Sequence, residues 1–210
     1  MVVCSNSSIS SANLFPSSEI IEQTTKYCST RDNHHLAYFF FSFRETEKQK
    51  ASNLPRSILA QLLEQAKNLP ASLQTFYDQY QHGLPSERGV MDLIQALATQ
   101  SQTFVIIDAL DECPNAEEER ADLCNIMEEI HSWDCRSLHV LVTSRREADL
   151  TEALLKIVTQ EPVGIQGSVI DTDIRKFVST QLQTTPKLSR WSTELKAEIE
   201  QTLVKKSGGM

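Results

Sequence analysis

Two apolar runs, each ending in a polar tip, constrain this chain most. TFVIIDAL (103–110) and HVLVTSR (139–145) hold unbroken apolar stretches at 104–107 and 140–142. A strand with one wet face alternates apolar and polar residues, whereas one covered on both faces does not. Both segments therefore read as buried strands. LAYFFFSF (36–43), aromatic and without helical spacing, reads as a third strand buried on both faces. The intervening segments have a helical period: Ile58, Leu59, Leu62, Leu63 and Ala66; Leu73, Phe76, Tyr77 and Tyr80; Val90, Leu93, Ile94 and Leu97; Leu123, Ile126, Met127 and Ile130. Breaks fall at Pro70 and at 83–85, and Asn115 with Glu118 has capping-box spacing. Strands alternating with helices predict an α/β fold, a parallel sheet flanked by helices.

The remaining segments fill out that plan. Residues 1–18 form a Ser-rich leader. Ser17 and Ser18 are candidate caps for a helix from Glu19 to about Tyr27. A short helix is expected over 150–158 and a fourth strand at VGIQ (163–166). One helix carries Ile170, Ile174, Phe177, Val178 and Leu182, and a last one carries Leu195, Ile199 and Leu203. The expected organisation is a leader over 1–18, an α/β core over 19–185 and a C-terminal helix over 186–210.

Charge and composition exclude several function classes. The net charge is −8, from 28 acids and 20 bases, and an acidic chain repels a phosphate backbone. Nucleic acid is not an expected partner. The acids at 117–119 read as a solvated helix start. Five cysteines show no CxxC pair, and His131 and Cys135, four apart, lack a second ligand pair for a metal centre. The N-terminus lacks the basic and apolar regions of a signal peptide, and the longest apolar run is too short to span a bilayer. No membrane association and a reducing, cytoplasmic location are expected. His34 and His35 read as an exposed turn, and Trp133 and Trp191 as anchors of helix packing.

The chemistry concentrates at the tips of two strands, where ligands of open α/β sheets bind. TFVIIDAL delivers Asp108 at its carboxyl end, followed by Asp111 and Glu112. This is the layout of a Walker B motif: a rigid strand end holds one carboxylate for Mg²⁺, and a later acid polarises water. Acids at this position also cap and complement the dipole of a following helix. HVLVTSR ends in Thr143, Ser144 and Arg145, a polar tip and a guanidinium suited to a phosphate.

Taken in order, LAYFFFSFR, PRSILAQLL, TFVIIDALDECPN, HVLVTSRRE and VIDTDIRKFV resemble the fungal NACHT domain, in its nephrocystin-3-like N-terminal form, over about residues 19–210. That family belongs to the signal-transducing (STAND) branch of P-loop NTPases. The resemblance implies a P-loop NTPase-like core. It implies Asp108 as the Mg²⁺ ligand, Asp111 and Glu112 as the catalytic pair, and Arg145 with Ser144 as cofactor-binding residues. Ala109 fills the family's small position. The implied cofactors are Mg²⁺ with ATP or GTP. Relatives are large regulators with an N-terminal effector and C-terminal repeats, so this chain is expected to be a truncated piece of such a protein.

One part of that pattern is missing. A P-loop needs glycines, then Lys followed by Ser or Thr, just before the first helix. The first glycine here is Gly83 and the first lysine is Lys26, already inside that helix. The first strand and its loop are replaced by MVVCSNSSISSANLFP, in which Val2 and Val3 suggest at most a strand stub. The loss is expected to leave sheet edges exposed and nucleotide binding weak or absent. Three functional readings follow. The chain is a partial NTPase domain with little or no hydrolysis, a non-catalytic fragment acting through protein contacts or self-association, or an unrelated metal-dependent α/β enzyme.

Overall fold

The computed structural model describes residues 2–5, 17–80, 85–115, 117–145, 147–157 and 167–207. Its sheet is built on β3 (Gln102–Asp108), which lies between two parallel neighbours. β2 (His34–Phe40) and β4 (Leu138–Thr143) pair with β3 on either side, both in parallel. The register sets Phe40 opposite Asp108 and Ile107 opposite Val142, so the carboxyl ends of all three strands share one rim. This is the α/β architecture that the alternating pattern predicts.

Residue parity on β3 explains the unbroken run. Ile106 packs with Leu36, Leu141 and Cys28, against Ile20 and Ile21 of α1 (Ser17–Ser29). Val105 and Ile107 face the larger core on the other side. That core takes Leu54, Ile58 and Leu62 from α2 (Asn53–Gln65), and Leu93 and Leu97 from α4 (Glu87–Gln100). It also takes Leu123 and Ile126 from α5 (Glu117–Ser132), and Leu150 and Leu154 from α6 (Ala148–Ile157). Burying each Leu or Ile fully contributes about 1.5–3 kcal/mol, so these faces carry most of the fold's stability. α3 (Ser72–Gln79) lies between α2 and α4 in the chain and has no fully buried residue.

Several sequence expectations change. The segment at 36–43 forms strand only to Phe40 and is an outer strand, so Tyr38 is 40% exposed and Phe43 lies outside it. His34 and His35 lie in β2, not in a turn. His35 is buried on the side of Ala37 and Phe39. Burial, and then its neighbour His34, lower its pKa. α5 ends at Ser132, which leaves His131 and Cys135 on no common helix. Glu119 is not merely solvated, because its carboxylate accepts the Ala51 N–H at 2.8 Å. Trp133 packs against the core, but Trp191 is 42% exposed and anchors little. The strand expected at 163–166 lies outside the described residues.

The N-terminal segment supplies a strand after all. β1 (Val2–Ser5) pairs with β4 and completes the order β1–β4–β3–β2, so β4 is not left as an edge. β1 runs antiparallel, with Val2 opposite Thr143 and Ser5 opposite Val140. Its carboxyl end therefore points away from the rim that holds Asp108.

The chain divides into two compact units, 1–163 and 164–210. The sheet belongs to the first. In the second, α7 (Gly167–Thr184) and α8 (Thr193–Ser207) pack on each other, with Arg175 Nε 3.6 Å from Glu200 Oε1. Among the described residues, no helix is long and apolar enough to cross a membrane.

Candidate functional site

The polar groups of the rim are tied to one another. Asp108, the last residue of β3, accepts hydrogen bonds on Oδ1 from the hydroxyls of Ser17 and Thr143. Ser17 is the first residue of α1 and Thr143 the last of β4, so three elements meet at this one carboxylate. Thr143 Oγ1 also accepts the Ala109 N–H at 3.0 Å.

Ala109 turns the chain sharply out of the strand, with φ 58° and ψ 50°. This left-handed conformation costs a residue with a Cβ roughly 1–2 kcal/mol, which favours the smallest side chain. The turn leads into one 3₁₀ turn, Leu110–Glu112, pinned by the fully buried Leu110.

The next two acids have partners of their own. Asp111, 8% exposed, accepts the Arg145 N–H on Oδ1 at 2.9 Å, and its Oδ2 lies 3.4 Å from Arg145 Nε. Glu112 Oε2 accepts the Phe43 N–H at 3.1 Å, which ties the acidic turn to the segment after β2. Ser144 is buried and donates to the Arg145 carbonyl at 2.8 Å, bracing the turn that carries the guanidinium.

Asp108, Asp111, Glu112, Ser144 and Arg145 thus share one rim. Among the described residues, no group of three His, Cys, Asp or Glu side chains is arranged to hold a metal ion. Three of the thiols, Cys28, Cys113 and Cys124, are not primed for nucleophilic attack. Burial pushes Cys113 up to about 11, and burial also raises Cys28 and Cys124.

One participant escaped the sequence reading. Arg120 of α5 is buried beneath the acidic turn. Its Nη2 donates to the Cys113 carbonyl at 2.6 Å and the Asp111 carbonyl at 3.3 Å. Its Nη1 reaches Glu147 at 2.8 Å and Asp149 at 3.4 Å, just beyond Arg145. The only signal in the sequence was a base directly after three acids on a helix. Ser17 and Thr143 were visible, but as a cap and a strand tip rather than as partners of Asp108.

The family model described as nephrocystin 3, N-terminal matches residues 15–145, which span α1 through Arg145 and take in the whole rim. No curated protein and no solved structure matches the chain.

Proposed function

Because the chain belongs to the nephrocystin 3 N-terminal family, we propose that it is a NACHT-type domain of the STAND class of P-loop NTPases, with an acidic rim that serves as a structural joint and turns over little or no nucleotide. The domain then acts through contacts with other proteins or with its own copies.

The internal bonding of the rim carries this reading. In a working site, the strand-end acid faces a Ser or Thr hydroxyl, and the two orient Mg²⁺ under the β- and γ-phosphates. The Ser17–Asp108 pair supports that ancestry. The phosphate cradle is what is lacking. Residues 6–16 contain no glycine to bring backbone N–H groups close and no lysine to neutralise charge. β1 also directs its carboxyl end away from the rim. Arg145, which by resemblance would sense phosphate, lies on Asp111. These residues do not fit a firmly held Mg²⁺–triphosphate, and no hydrolytic step is derived through one.

Titration with fluorescent ATP and GTP analogues in the presence of Mg²⁺ tests the proposal. The expected result is no saturable binding up to about 1 mM, an affinity worth less than about 4 kcal/mol. Micromolar binding that Asp108→Ala abolishes would overturn it and restore an active nucleotide site.

A further inference from the structure

We propose that Gln61 and Gln65 of α2 stand in for a fifth strand along the outer edge of β2, and so hold closed an edge that would otherwise pair with the same edge of a second copy of this chain. Gln65 Oε1 accepts the Leu36 N–H at 3.0 Å, and its Nε2 donates to the Leu36 carbonyl at 2.7 Å. Gln61 treats Tyr38 the same way, at 3.1 and 2.8 Å. Each amide donates as well to its own helix, Gln61 to the Ser57 carbonyl at 3.2 Å and Gln65 to the Gln61 carbonyl at 2.7 Å.

The spacing makes the match possible. Four residues of helix advance about 6.0 Å and two residues of strand about 6.6 Å. Glutamines at i and i+4 therefore meet the outward groups of strand residues at j and j+2. A primary amide offers a donor and an acceptor in one plane, as a peptide unit does, so each glutamine replaces one residue of a neighbouring strand.

The composition of β2 explains why such a device is needed and what would otherwise bind. Residues 34–42 contain no Lys, Arg, Asp, Glu, Pro or Gly, so the usual guards of a free edge are absent. The stretch from Leu36 to Phe41 is apolar and largely aromatic, the kind that pairs with itself. Two copies present the same groups and can pair antiparallel about a two-fold axis. Tyr38, 40% exposed and edge-to-face with Phe40, would supply apolar contact across that pair.

Amide hydrogen exchange and light scattering on the full chain test the idea. In the wild type, the Leu36 and Tyr38 amides should exchange within about tenfold of the neighbouring residues that face β3, because both sets are bonded. Fast exchange at Leu36 and Tyr38 there would overturn the proposal without any variant. Gln61→Met with Gln65→Met keeps volume and removes the bonds. This variant should form dimers or larger species with rising concentration, and adding Tyr38→Lys at the edge should return it to the monomer. A folded double variant that stays monomeric at about 200 µM, against dimerisation in the usual micromolar range, would refute the self-pairing surface. If the double variant does not fold, Gln65→Ala, at an exposed position, is read by the same two measurements over half the edge.

Discussion

Arg120 shows how much a single side chain holds in this domain. Its guanidinium joins the carbonyls of the acidic turn to the acids that follow β4, and its Nε is buried with no partner among the described residues. Removing it leaves two carbonyls without their donor and Glu147 without its pair. Glu147 and Asp149 are 40% and 44% exposed, so solvent screens the ionic part and the carbonyl bonds dominate. Arg120→Met is expected to cost about 2–3 kcal/mol, read as a lower midpoint in urea unfolding. Arg120→Lys, which keeps the charge but not the fork, should recover less than half of that. A loss below about 0.5 kcal/mol in the Met variant would mean the latch is incidental. Such a role is hard to find in a sequence, because a helix pattern marks Arg as solvent-facing whatever it touches. His35 was hidden for a related reason: a polar pair beside a strand reads as a turn, yet the two-residue period buries its second member.

At the scale of elements, legibility follows coverage. β3 is covered on both faces and paired on both edges, so its apolar run is unbroken and its end is sharp. Asp108 could be placed from sequence alone for that reason. β2 is paired on one edge only, and the exposed Tyr38 shows that its aromatic run overstated burial. β1 has four residues, too few to carry a period, and its antiparallel direction leaves no mark on composition. Gln61 and Gln65 lie on the polar stripe of α2, where periodicity assigns them to water. The turn after β3 makes a prediction at this scale. Ala109 holds a conformation that glycine adopts without strain. Ala109→Gly is expected to raise stability by about 0.5–1 kcal/mol, although glycine loosens the unfolded chain. Ala109→Val should lower it by more than 1 kcal/mol, since a β-branched residue is poorly suited to positive φ. Thermal unfolding of the pair measures both signs. A Val variant as stable as wild type would show that the turn relaxes out of the left-handed region.

At the scale of the whole molecule, the distribution of buried side chains decides what depends on what. Among the described residues, both apolar clusters, with α1 on one side of the sheet and α2, α4, α5 and α6 on the other, draw only on residues up to Ile157. Among the described residues, the unit over 164–210 contains two helices, with Leu182 and Val204 buried but Phe177 65% and Leu203 48% exposed. A unit of 47 residues is small for a core that offsets the entropy of ordering its residues. The two units should therefore respond unequally to being separated. A chain of residues 1–163 is expected to keep a single cooperative thermal transition, with its midpoint within about 5 °C of the full chain, a difference of roughly 1 kcal/mol. A peptide of residues 164–207 should show mostly unfolded circular dichroism alone at micromolar concentration. Loss of the cooperative transition on truncation would place an essential part of the core beyond residue 163. It would also shift the folding boundary past the end of the family match at residue 145, into the helical pair itself.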